Sequence, residues 1–572
     1  MLAPGKHLRS NASSLVIKAH YFRTCLGSGE LDSNFLHQLG LVEQNPSHSQ
    51  NLRRLLTLQG VGLKGFMRTS PAIFTAKTSL LGLGLFTIVL IFTLGCGAGA
   101  GIHGVPPNTS TGNYSNASLK GSYVYQLSGN VSTGGASYQE SGIFIADGSG
   151  HITGGIDDAT QGTASKIGNT ISGTYAIAND GTGTISLTGT AFGSASLAVT
   201  LVSSAKAYLI EADPLNAAGV AELQSPSSIG AAPSGTFVFK MHTSAGQIST
   251  STVGQFTVST GNFQSGFVDV NHAGSFTSPT LSNFTFNAPI ANGRGTGSYT
   301  ESPGSISSFY YYIVDSNNIR LLSTDFILNA GGIGRVELQS AGPFSTSSLT
   351  GSYVFGSKGD DNFGLNSVNT VGVFAASGGN ITSGAFDSVE DGIPQTNVAI
   401  TGGTYQVATN GRVTATLTSS VGTVNQILWM VSPARAFSIT ASDTSDISVT
   451  QDGTDDLQQT TAFSNSSITG QGALVMHGFN PTVAIDRIGT LQWDGSGNLK
   501  LNELVNDSGV VSTPGVLTGT YSAAANGRVT GTINGLSAGS NDLVFYMISN
   551  ATGNVLQEDA NTELSGTTEL QH

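Results

Sequence analysis

Residues 121–125 read Gly-Ser-Tyr-Val-Tyr, and this pentad decides the fold because it comes back. Gly235-Thr236-Phe237-Val238-Phe239 and Gly351-Ser352-Tyr353-Val354-Phe355 repeat it, and Gly470-Gln471-Gly472-Ala473-Leu474 is a degraded fourth copy. Each copy ends on an acid-Leu-Gln signature: Glu222-Leu223-Gln224, Glu337-Leu338-Gln339, Asp456-Leu457-Gln458 and Glu569-Leu570-Gln571. A unit of about 110 residues is far longer than the roughly 20–50 residues of a propeller blade or solenoid rung. It is a whole small domain, used four times.

Working outward from the pentad, Tyr123, Tyr125 and Leu127 alternate with polar or smaller residues, the period-two signal of a strand. Copy 1 divides into about eight such segments. Turn chemistry separates them in register. Asp147-Gly148-Ser149-Gly150 and Asp494-Gly495-Ser496-Gly497 follow the second strand, and Asn292-Gly293, Asn410-Gly411 and Asn526-Gly527 follow the fourth. Asn-Gly and Asp-Gly supply the positive φ that tight hairpins need. Sequential hairpins make an antiparallel meander, which hides its edges by closing on itself. The expectation is all-β: four tandem meander domains of about eight strands, each a small up-and-down barrel, lipocalin- or avidin-like in layout. A β-sandwich is the alternative. The boundaries read as 118–225, 233–340, 348–459 and 467–572.

Composition fits. Of 572 residues 76 are Gly, 38% are apolar and only 10% are charged, unlike a disordered chain. Lys and Arg outnumber Asp and Glu 9 to 3 over residues 1–78; thereafter the balance is 13 to 32. Acidic repeats argue against nucleic acid, whose phosphates are bound by Lys and Arg. The two cysteines, Cys25 and Cys96, both precede the repeats. No thiolate site or disulfide can form inside them.

Leu80–Gly95 is an uncharged apolar run of secretory h-region length, too short for an ordinary bilayer span. Arg68 and Lys77 precede it, and Gly95-Cys96 follows. Residues 67–96 resemble a bacterial lipoprotein signal, which implies cleavage before Cys96 and its lipidation. Thr93 departs from the aliphatic residue such signals prefer. A plain signal peptide and an uncleaved anchor remain as alternatives. Residues 1–66 then read as an extension upstream of the initiator Met67, and the Pro-, Asn- and Ser-rich residues 97–117 as a flexible tether. With its "GSY", "DGSG" and "NGR" turns, the chain from Met67 onward resembles tandem-repeat envelope lipoproteins of environmental bacteria. That resemblance implies a lipid bilayer as partner and an outer-membrane or surface location (or inner-membrane anchorage or secretion), and it brings no known activity with it.

Candidate chemistry is sparse. Asp147, Gly148, Gly150, Asp494, Gly495 and Gly497 could belong to Ca²⁺ loops, but turn formation alone explains them. Asp213, Asp325, Asp443 and Asp559 recur near the end of the seventh strand and read as turn caps, or as partners of Lys206, Arg320 and Arg435. His151, His242, His272 and His477 have no metal-ligand spacing. Trp429 and Trp493 could form a sugar-stacking surface; core packing is the alternative. No metal, cofactor or catalytic group is expected. The functional reading is a non-enzymatic stalk for adhesion or scaffolding, or alternatively a ligand- or glycan-binding barrel with a glycan or surface-protein partner.

Overall fold

In the fourth copy eight strands follow one another: Thr469–Asn480, Val483–Asp494, Asn498–Asp507, Val510–Ala523, Arg528–Asn534, Asp542–Met547, Thr552–Gln557 and Glu563–Leu570. Each pairs antiparallel with the one before, and the eighth returns to the first, closing a barrel. The computed structural model describes residues 113–572 except 132–135, 246–247, 303–304, 325–330, 362–365, 446–448, 481–482, 537–541 and 561. Cys96, the leader and most of the tether lie outside the described residues.

Copy 3 closes in the same way. In copies 1 and 2 the fourth strand is broken in two. Copy 1 has Ala164–Thr170 and Ser172–Ile177, and copy 2 has Ser275–Thr277 and Thr280–Phe286, with Pro279 at the break. Proline has no N–H for the ladder, so the strand pauses there. The first piece in copy 2 still pairs with the third strand and the second with the fifth. The chain is all-β, with four eight-stranded barrels in tandem, rather than sandwiches.

Alternate residues fill each interior. Tyr123 stacks on Phe144 with ring centroids 5.3 Å apart, Phe237 on Phe256 at 5.7 Å and Tyr353 on Phe374 at 5.7 Å. Copy 4 has Gly472 where the others have an aromatic, but Trp493 stands at the position of Ala146, Val258 and Ala376. Volume lost from the first strand is regained on the second, as a close-packed core demands. One-turn 3₁₀ helices, Asn116–Ser118, Thr346–Ser348 and Asn465–Ser467, lead into copies 1, 3 and 4. Behind them Leu119, Leu349 and Ile468 plug the barrel ends. Their carbonyls accept hydrogen bonds from Tyr175 (2.7 Å), Tyr405 (2.5 Å) and Tyr521 (2.9 Å).

The barrels do not line up as a stalk. The second strand of each copy lies against the last strands of the next. Ser137–Asp147 meets Asn318–Ser323, Ile248–Ser259 meets Arg435–Asp443 and Val449–Leu457, and Asn366–Ser377 meets Thr552–Gln557. Val483–Asp494 of copy 4 then meets Gly193–Ser203 and Lys206–Glu211 of copy 1. One patch always meets a different patch, and four such heterologous contacts close a ring. This corrects the extended arrangement expected from tandem repeats. The pentad explains why: Tyr123 and Tyr125 point into the barrel, whereas Val124, Val238, Val354 and Ala473 point out into the four apolar junctions. An even number of strands also brings each copy back to the end where it began, so all linkers lie at one end of the ring.

Candidate functional site

The junctions hold most of the buried chemistry. At the end of the eighth strand the signature glutamine leaves its own barrel. Gln224 Nε2 donates to the carbonyls of Asn292 (3.1 Å) and Ile313 (2.7 Å) in copy 2. Gln339 does the same to Asn410 and Met430, Gln458 to Asn526 and Met547, and Gln571 to Asp180 and Leu201 in copy 1. The next backbone N–H adds a bond each time, ending with His572 N to Val202 O at 3.0 Å. The receiving turns need glycine twice over. Gly527 has φ 88°, and a Cβ there would lie 2.5 Å from Gln458 Nε2.

Beside this latch sits an ionic clasp. Arg294 of copy 2 forks onto buried Asp158 of copy 1, Nε to Oδ2 at 2.5 Å and Nη2 to Oδ1 at 2.9 Å, while Tyr312 donates its hydroxyl to the same carboxylate. Arg412 and the indole N–H of Trp429 grip Asp269 at 2.6–2.8 Å. Arg528 and Tyr546 grip Asp387 at 2.5–2.7 Å. Bidentate guanidinium–carboxylate pairs are among the strongest and most directional contacts a protein makes. Near Asp387, burial and the neighbouring Asp387 carboxyl push Glu558 up to about 8.

Further charges bridge the copies. Arg320 pairs with Glu222, Arg435 with Glu337 (3.0 Å), and Lys206 with Glu569 (2.5 Å). These bases therefore serve the closing signature and not the seventh-strand aspartates. Those aspartates cap turns: Asp213 accepts Leu215 N at 2.9 Å and Asp443 accepts Ser445 N at 2.8 Å. Asp325 lies outside the described residues. In copy 3 Asp452 takes Lys240 (2.7 Å) and His242 (3.0 Å) from copy 2. Burial opposes its ionisation, yet these cations hold its carboxyl well below the usual range.

The remaining candidates fall as follows. Trp429 is fully buried between copies 2 and 3, and Trp493 is 4% exposed inside barrel 4, edge-on to Tyr521 and Phe545. Neither offers a ring face to a sugar, because each fills space that packing requires. Asp147 Oδ1 accepts the N–H groups of Ser149 (2.6 Å) and His151 (3.1 Å), and Asp494 Oδ1 those of Ser496 and Asn498. Gly148, Gly150, Gly495 and Gly497 all have positive φ. Donation from Ser149 N and His151 N holds the Asp147 carboxyl down at about 2. His477 bonds Asp486 at 2.6 Å and His272 bonds Thr250 at 2.7 Å. Among the described residues no group of three or more His, Cys, Asp or Glu is placed to hold a metal ion.

Copy 1 contains one more cluster, which no spacing rule could have found. Glu140, Asp157 and Glu211 are all buried. Tyr125 donates to Asp157 (2.8 Å), Tyr138 to Glu140 (2.9 Å) and Ala191 N to Asp157 (2.6 Å). Burial first, then the neighbouring carboxyls, push Glu140 and Glu211 well above the usual range.

The geometry defines a class: a single-chain ring of meander barrels closed by non-covalent contacts, with a glutamine latch at every junction and an arginine clasp at three. No protein-family model matches the chain and no curated protein matches it. Among solved structures it is similar to transferrin binding protein B. A double mutant from Haemophilus parasuis Hp5 gives 10% identity over 64% of this chain and 82% of that one, with TM-score 0.17. Isotype 1 from serogroup B Neisseria meningitidis gives 8% identity over 63% and 80%, also with TM-score 0.17. Overlaps this low place no constraint on what this chain binds.

Proposed function

We propose that the protein is a non-enzymatic scaffold of the bacterial cell envelope. It is held to a bilayer through lipidated Cys96 and the 97–117 tether, and offers the far end of a four-barrel ring to a surface partner. The observation that carries this reading is the placement of every linker at one end, the end where Tyr114 follows the tether. Among the described residues the other end is built from hairpins, a surface that can vary without breaking the ring.

Two features support display over catalysis. Many of the perturbed acids lie inside barrel 1 or are paired across a junction, while burial alone raises Glu301 to about 7 and Glu503 is held by Arg487 of its own barrel. At the far end, the third hairpins of copies 3 and 4 carry Ile393 and Val510 at matching positions, 66% and 68% exposed. Exposed apolar side chains at matching sites favour a protein partner over a glycan.

The test has two arms. Palmitate labelling and membrane retention are expected for the native chain and lost in Cys96→Ser; retention unchanged in that variant refutes the anchor. Binding of the soluble ring to cells or envelope protein is expected to fall about ten-fold or more in Ile393→Ser/Val510→Ser, as for a desolvated apolar contact. Equal binding by that variant refutes the far-end partner site.

A further inference from the structure

Three junctions carry the clasp, and the fourth, which closes the ring, does not. The register shows what replaced it. Asp158, Asp269 and Asp387 lie opposite Ser141, Val253 and Val371. The matching residue in copy 4 is Leu504, opposite Ile488. On the receiving side, Arg294–Tyr312, Arg412–Trp429 and Arg528–Tyr546 are cross-strand pairs, and the matching pair in copy 1 is Thr182–Thr200. All three members of the clasp have changed together.

The closing junction is built differently. Leu504 packs with Ala198, Val202, Tyr208 and Ile210 of copy 1 in a buried apolar cluster. Thr200 Oγ1 is buried without a hydrogen-bond partner, at the place where the other copies send a phenol or indole donor to the carboxylate.

We propose that this concerted exchange sets the order of the ring: copy 4 accepts copy 1 and refuses the arginine-bearing copies. The alternatives are real competitors, because the four barrels share one architecture and short linkers tie them together. If copy 4 docked on copy 2, closing a ring of three, Arg294 would be buried against Leu504 with no carboxylate. If copy 3 docked on copy 1, Asp387 would be buried against Thr182 and Thr200. An unpaired buried charge is strongly penalised, whereas at the native closing junction the buried Asp180 is met by Thr182 and by Asn502 of copy 4 and the Leu504 contact is apolar. The specificity thus comes from a mismatch penalty, as in other assemblies that must reject close relatives of the right partner. The glutamine latch, present at all four junctions, supplies attraction without discrimination.

The test uses the full chain with Cys25 and Cys96 replaced by Ser, and spin labels on cysteines placed at the exposed turn residues Ser149 of copy 1 and Ser496 of copy 4. The unaltered junction is expected to give one narrow distance distribution. Leu504→Asp, and separately Thr182→Arg/Thr200→Tyr, are each expected to raise the open or mispaired population about ten-fold or more, as a lone buried charge should. Combining all three substitutions is expected to restore the narrow distribution. Far-UV circular dichroism checks that copy 4 is folded. If Leu504→Asp costs it that fold, the copy 1 pair of substitutions decides alone. A junction that stays closed in the single-sided variants overturns the proposal, and so does a triple variant that remains open.

Discussion

At the residue scale, Glu211 and Gln557 occupy the same place in sister barrels, opposite Leu197 and Leu543. Gln557 donates to Asp559 at 2.6 Å, and Asp213 is the counterpart of Asp559. Copy 4 thus has a neutral amide where copy 1 has a buried carboxyl whose surroundings favour the neutral form. A carboxyl whose folded value is raised stabilises fully below its unfolded value, about 4.3. That stability is lost as pH rises through the folded value. The native protein is therefore expected to lose stability as pH rises above the unfolded carboxyl value of about 4.3 and through the raised folded value, and Glu211→Gln to flatten that decline in urea titrations. An unchanged slope would mean the proton sits elsewhere. Asp387→Asn cuts a buried bidentate pair and leaves Arg528 with only Glu558 at 3.6 Å, a loss of about 3 kcal/mol at that junction. Differential scanning calorimetry is expected to show it as a lower or split transition. Glu558, pushed up to about 8, carries the same sign as Glu211: deprotonation above pH 8 puts two carboxylates beside Arg528, so the junction between copies 3 and 4 is expected to loosen first in alkali.

At the scale of elements, strands and turns were legible because their signals are local. Alternation places Tyr123 and Tyr125 inside, and Asn-Gly requires a hairpin. The junctions were not legible, because their partners lie far apart in sequence. Gln571 and Asp180 are separated by 391 positions, and no periodicity links them. The signal was nevertheless present. A strand with one face in solvent should alternate, yet Tyr123-Val124-Tyr125 is apolar throughout, which is how a strand buried on both faces reads. The recurring Glu-Leu-Gln was a second clue, since a strand's last residues recur in type only when something fixes them. Trp493 misled because a lone tryptophan suggests a binding face, and only the missing aromatic at Gly472 explains it. The latch predicts that Gly527→Ala fails for two reasons, its positive φ and the approach of Gln458. It is expected to cost more than Gln458→Ala alone, as measured by thermal shift.

At the scale of the molecule, the ring predicts a compact particle. Small-angle scattering is expected to give a radius of gyration close to the compact-globule scaling for the described 113–572 segment, about 23 Å. Deleting Gln571 and His572 is expected to increase it by opening one junction while leaving four folded barrels. A rod-like profile from the intact chain would refute the closed arrangement.

The seam between copies 4 and 1 ends on the final residue of the chain. His572 N bonds Val202, and Tyr114 reaches both Val202 and the His572 carbonyl. This seam joins residues 391 positions apart, so the circle can shut only once copy 4 has been made, however early copies 1 to 3 have docked. Bulk added beside His572 would be wedged into that joint, whereas an insertion at the Gly162–Thr163 hairpin tip would leave it alone.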